Sequence, residues 1–147
     1  MKKLIIHGPV TLNGEVRVAG SKNSLSAVLP ALCLMEAGNE AVIHNVPDIE
    51  DVRTFQKIYA EIGLDLKYDR EGRQLTVTGK IDNTALSREA AGRIRASNLF
   101  LGALTAAKGQ ARIPYPGGDR LGGRPQDIHL YVLEKFGIRV STDDEGV

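Results

Sequence analysis

Between Tyr115 and Pro125, four glycines fall within seven residues, at Gly117, Gly118, Gly122 and Gly123. Two arginines, Arg120 and Arg124, and one acid, Asp119, share that segment. Glycine permits positive φ angles and lets a backbone approach a ligand closely. The spacing predicts a helix start just after the segment. Guanidinium forks and unsatisfied helix N–H groups together suit a phosphate or carboxylate. Asp119 is then a candidate proton carrier. The same residues also read as a surface turn whose arginines are solvated. No Gly-Lys-Ser/Thr follows, so this is not a Walker loop, and the context of a dinucleotide fingerprint is missing too.

Other chemistry-bearing residues are scattered. Lys22-Asn23 follows Gly20 at a second expected helix start, where a lysine opposes the helix dipole. Arg93 and Arg95 lie on a largely apolar helix and either snorkel at the surface or point into a cleft. Cys33 stands in an apolar run and reads as a small buried hydrophobe rather than a nucleophile. His129, two residues after Asp127, suits capping, packing or catalysis.

Composition narrows the classes that these residues can serve. Nineteen basic residues against eighteen acidic leave a net charge of +1, so no basic field calls for nucleic acid. One cysteine excludes a disulfide framework and a thiolate metal cage, and no metal site is expected. No apolar run reaches the roughly 18 residues of a membrane span. The start, Met1 to Pro9, holds too short an apolar stretch for a secretory leader, so the chain is expected to be cytoplasmic.

The elements that position these groups come in two passes. Leu4–Ile6 and Glu15–Ala19 read as short strands. Ser21 is an N-cap for an apolar helix running to Met35, buried on most sides. Ala41–His44 is a strand. Asp48 or Asp51 caps a helix through Val52, Phe55, Ile58, Tyr59 and Ile62, which share one face. Gly63 stops it, and strands at Leu64–Tyr68 and Gln74–Thr78 follow. The second pass has a helix from Ala90 to Ala107 and a strand at Ala111–Ile113. A helix from Ile128 to Phe136, closed by Gly137, and a strand at Ile138–Ser141 complete it. The offset is 70 residues at the first strand and 74 after the second helix, so four extra residues fall in the glycine-rich loop. A repeat of this kind shares a sheet and buries its helices against it. The fold class expected is α+β (α/β).

Gly20-Ser21-Lys22-Asn23, Asn45-Val46-Pro47, Arg95-Ala96-Ser97 and the run from Pro116 to His129 resemble, in order and spacing, the UDP-N-acetylglucosamine enolpyruvyl transferases. The sister family that makes enolpyruvylshikimate phosphate has one more residue between the loop acid and the Arg-Pro pair, and a serine after the first lysine. Asn23 and the Asp119–Arg124 spacing therefore favour the aminosugar family.

The resemblance implies repeated βαβαββ-type units of an inside-out barrel, with helices packed under a mixed sheet. It implies that an enolpyruvyl group passes from phosphoenolpyruvate to the 3-hydroxyl of UDP-N-acetylglucosamine, the first committed step towards peptidoglycan precursors. No cofactor is called for. By matching position, Lys22, Asn23 and Arg124 hold phosphoenolpyruvate. Asn23, Arg95, Arg124, Pro125, Gln126, Asp127 and Ile128 contact the sugar nucleotide. Asp119 stands where most of the family has a cysteine, the general acid that fosfomycin alkylates, so insensitivity to that drug is expected.

Family members are much longer, with an active site between two domains. Residues 1–20 would join the other domain, 21–85 form the first repeat, and 86–147 form the second, cut short at its end. The expected partner, besides the two substrates, is a C-terminal domain or complementary chain, and the 147 residues alone are expected to be inactive. Nucleic acid and membrane partners are not expected. The alternative is a non-catalytic UDP-N-acetylglucosamine-binding module or truncated homologue.

Overall fold

A computed structural model describes residues 3–117 and 125–147. Helix α1 (Lys22–Ala31) opens where expected, with the Ser21 hydroxyl accepting from the Ser24 N–H at 3.3 Å. Pro30 withholds one N–H from its ladder, and the chain tightens into a 3₁₀ turn at Leu32–Leu34. Leu25, Leu29, Pro30 and Cys33 are buried while Val28 and Leu34 are exposed, so this apolar run covers the core with one face rather than on most sides.

The sheet comprises β1 (Ala41–Ile43), β2 (Leu64–Asp69) and β3 (Gln74–Gly79) in the order β1-β3-β2. Both pairs are antiparallel, with Leu66 opposite Val77 and Ile43 opposite Leu75. Alternation decides which face is buried: Leu64, Leu66, Leu75 and Val77 turn inward. Helix α2 (Glu50–Glu61) lies on that face through Val52, Phe55, Ile58 and Tyr59.

Helix α3 (Arg88–Ala91), a 3₁₀ turn at Arg95–Asn98 and helix α4 (Leu99–Lys108) complete the core. Phe100 of α4 meets Phe55 at 6.2 Å and Tyr59 edge-on at 6.1 Å between ring centroids. Residues of α3, the 3₁₀ turn and α4 thus share one core with α1, α2 and the sheet. No described helix is long and apolar enough to cross a membrane.

Several expectations fail for identifiable reasons. The α+β class holds, but the three-stranded sheet is antiparallel throughout rather than mixed. Parallel pairing among the described residues is limited to the bridge Ala85–Arg112. Leu4–Ile6 and Glu15–Ala19 form no strands, because nothing described pairs with them, and Leu4, Ile6, Leu12 and Val16 are 82–89% exposed. The single helix expected from Ala90 to Ala107 is interrupted at Gly92-Arg93-Ile94. Neither Asp48 nor Asp51 caps α2, whose N-cap is Ile49 without a side-chain bond. Both carboxylates go to cations instead, Asp48 to Arg70 and Asp51 to Lys22.

Ala111–Ile113 and Ile138–Ser141 are not strands either. The segment after α4 pairs with the residues before Val147 through single bridges, Ile113 and Val147 exchanging both backbone bonds. Helix α5 (Asp127–Lys135) forms as expected but buries none of its residues.

Candidate active site

Two helix starts and one 3₁₀ turn build a cleft of about 580 Å³. Gly20 packs so closely on the Asn45 carbonyl, with Pro47 alongside, that a side chain there would collide with that carbonyl. Asn45 has φ 57°, and the next N–H, on buried Val46, donates to the Arg73 carbonyl at 2.8 Å. That packing explains why Gly20 and Asn45-Val46-Pro47 occur together in the sequence: it fixes the start of α1 beside the start of α2. Lys22, the first residue of α1, then meets Asp51 in the first turn of α2, Nζ to Oδ2 2.8 Å. The Lys22 side chain is 58% exposed and that of Asp51 16%.

The facing wall is Arg93, Ile94, Arg95 and Ala96. The 3₁₀ turn that carries Arg95 is held by fully buried Ser97, whose hydroxyl donates to the Ile94 carbonyl at 2.7 Å. Arg93 donates from Nε to the Glu89 carbonyl at 3.2 Å. Asn23, Ser26, Asn98, Leu99 and His129 complete the lining. Three permanent cations against one carboxylate give the cleft a net positive charge among the described residues, which favours an anionic ligand.

The structure brings together Lys22, Asn23 and Arg95, although the first and last are 73 positions apart. Arg93 joins them, so both arginines face the cleft. His129 lines it too and does not cap α5, whose N-cap is Gln126. Ile128, 72% exposed, lines instead an adjoining apolar groove of about 290 Å³ with Leu99, Val132 and Leu133. Asn98, Leu99 and His129 border both spaces. Pro125, Gln126 and Asp127 line neither. Asp119 and Arg124, with the loop from Gly118, lie outside the described residues.

Sequence reasoning missed three polar lining residues: Ser26, Asn98 and Asp51 in its present role. The Oδ1 of Asn98 is buried without a hydrogen-bond partner among the described residues. Its place directly after Arg95-Ala96-Ser97 was the available signal. Cys33 is remote from the cleft, and burial pushes its thiol up to about 12, which keeps it protonated and inert as expected. No group of three metal-ligating side chains occurs among the described residues.

Residues 6–147 match the family model described as EPSP synthase (3-phosphoshikimate 1-carboxyvinyltransferase). The chain belongs to this family of enolpyruvyl transferases. Within the family, a UDP-N-acetylglucosamine 1-carboxyvinyltransferase of Acinetobacter guillouiae is 38% identical over 143 residues, covering 97% of this chain and 33% of that protein. One from Coprothermobacter proteolyticus is 42% identical over 147 residues, covering 99% of this chain and 33% of its own length. The chain therefore spans about a third of the curated relatives it matches. The solved enolpyruvyl transferase NikO from Streptomyces tendae superposes with a TM-score of 0.77 at 30% identity, over 96% of this chain and 31% of that one.

Proposed function

We propose that this chain provides one wall of an enolpyruvyl transferase site that takes phosphoenolpyruvate and UDP-N-acetylglucosamine. The observation that carries the reading is the cationic cleft in which Lys22, Asn23 and Arg95 meet. Lys22, Asn23 and Arg124 hold the phosphate and carboxylate of phosphoenolpyruvate. Asn23, Arg95 and the segment Arg124 to Ile128 hold the sugar nucleotide, whose uracil suits the apolar groove beside Ile128.

In the reaction, the sugar 3-hydroxyl attacks C2 of phosphoenolpyruvate and loses its proton, while an acid protonates C3. Loss of phosphate and of a C3 proton from the tetrahedral ketal then gives the enolpyruvyl ether. Asp119 is the acid in this reading. A free aspartate titrates near 3.9, so its carboxyl must be raised by desolvation or by the neighbouring substrate phosphate to donate at neutral pH. Transition-state stabilisation draws on groups from both sides of a cleft, so turnover requires the wall contributed by a C-terminal domain or complementary chain. Such a protein acts in the cytoplasm on peptidoglycan precursors, and its carboxylate in place of a thiolate makes it insensitive to fosfomycin.

The test is phosphate release from phosphoenolpyruvate with UDP-N-acetylglucosamine as acceptor, measured in the assembly that carries both walls and in these residues alone. Turnover in the assembly and none in the single wall is expected. Asp119→Ala abolishes release while nucleotide binding persists, and Asp119→Cys retains turnover and acquires time-dependent inactivation by fosfomycin. An Asp119→Ala protein with most of its activity would remove the acid assignment. Equal turnover with acceptors lacking the aminosugar would remove the substrate assignment.

A further inference from the structure

A carboxylate inside an anion-binding cleft needs a reason, because it repels the ligand the cations attract. Asp51 has one side-chain ion-pair partner among the described residues, the Nζ of Lys22 at 2.8 Å, and it is the less exposed member of the pair. The two charges stand at opposite ends of a common problem. Asp51 lies in the first turn of α2, where the helix dipole favours an anion; Lys22 opens α1, where the same dipole opposes a cation. Their pairing offsets the unfavourable placement of Lys22. It also differs from a loose surface pair, because the packing of Gly20 on Asn45 and Pro47 sets the distance between the two helix starts.

We propose that Asp51 is a positioning residue: it holds the Lys22 ammonium over the cleft in one geometry and lowers the net charge there, trading ligand affinity for alignment of the transferring group. This rests on the reading of Lys22 as a phosphoenolpyruvate ligand. Removing the carboxylate frees Lys22 to meet an anion with full charge but without a fixed direction. Binding then tightens while chemistry slows, which loss of a merely structural contact does not produce.

Two measurements on Asp51→Asn test this. In the turnover assembly, KM for phosphoenolpyruvate falls about two- to fivefold, and kcat falls about tenfold because the anion is held in the wrong place. Asp51→Glu, which keeps the charge, restores kcat in part. Independently of turnover, reductive methylation followed by mass spectrometry reads the Lys22 amine against exposed Lys57. In the parent protein Lys22 reacts about threefold more slowly, and in Asp51→Asn the two rates converge. If the labelling ratio is unchanged, or kcat and KM both stay within twofold, the proposal is overturned. If Asp51→Asn does not fold, the Lys22 rate in Asp51→Ser decides by the same criterion. An assembly without turnover, but with the labelling difference present, would sink the transferase reading and leave the positioning of Lys22 standing.

Discussion

Ile58 and Ile62, on α2 and just after it, are fully shielded, whereas Val132 and Phe136, 74 positions later in the sequence, are 43% and 80% exposed. Both helices close on a glycine with nearly the same backbone, φ 85° at Gly63 and 82° at Gly137. Helix and stop signal are therefore local properties, which each copy of the sequence pattern supplies on its own. Burial is not local. α2 is covered because β2 and β3 pair over six residues each and present Leu64, Leu66, Leu75 and Val77 to it. Ile138–Ser141 pairs with no described strand, so the same helical pattern in α5 stays at the surface.

The largest expected contrast lies in paired truncations of the two helix regions. Phe55→Ala removes a ring packed against Phe100 and costs about 3–5 kcal/mol. Phe136→Ala costs at most about 0.5 kcal/mol. Urea unfolding measures both, and a Phe136 penalty comparable with that of Phe55 would show that α5 is covered in solution and break the contrast.

The closing glycines sharpen it. Gly137→Ala meets open space and costs about 1–2 kcal/mol for the left-handed backbone alone. Gly63→Ala carries that cost and also brings a methyl group to 2.7 Å from the Lys80 carbonyl and closer to the Asp82 carboxylate. It should therefore destabilise clearly more in the same assay. Equal losses would mean that both Asp82 and the Lys80 carbonyl move aside freely.

The two ends of the pH scale report the two regions separately. Burial raises the Cys33 thiol from 9.0 to about 12. The folded state thus holds its proton more tightly than the unfolded chain. The resulting stability is complete below pH about 9 and drains away as pH rises towards 12, by at most about 1.4 kcal/mol per pH unit. Cys33→Ala should flatten part of that decline in urea midpoints taken between these limits; an unchanged slope would place the thiol in water.

The smallest effect is on the acid side. The Arg112 guanidinium, followed by the backbone N–H groups of Glu145 and Gly146, holds the Asp143 carboxyl below its ordinary range. Its contribution is present above the pKa of a free aspartate and is lost as pH falls through the lowered value. Carbon-detected NMR should find the Asp143 midpoint below that of a free aspartate, moving up in Arg112→Ala. No movement would mean that the bridge near Val147 does not persist in solution.

What could be read from the residues follows the same division. The Ser21 cap, the Val52–Ile62 seam and the hairpin of β2 and β3 are encoded within a few turns of chain, and each forms. Asp48 and Asp51 were misread as caps because a carboxylate before a helix can satisfy either an N–H or a cation, and the cations Arg70 and Lys22 are far away in sequence. The interruption at Gly92 was hidden by an alanine-rich pattern that suits one continuous helix. For the site, Lys22, Asn23 and Arg95 were legible through motif resemblance and not through periodicity, since no local rule joins residues so far apart. Asp51 was invisible as a cleft residue because its position follows from Gly20 packing on Asn45.

Tyr59 is fully buried, and its hydroxyl donates to the Leu29 carbonyl. Burial pushes that phenol well above the usual tyrosine range, with the nearby Cys33 adding to the effect. The chain has four tyrosines and no tryptophan, so its near-ultraviolet spectrum is a tyrosine spectrum. Tyr59 should stay dark until the core around Leu29 opens. The molecule therefore carries a built-in optical clock for its own unfolding, readable without a label.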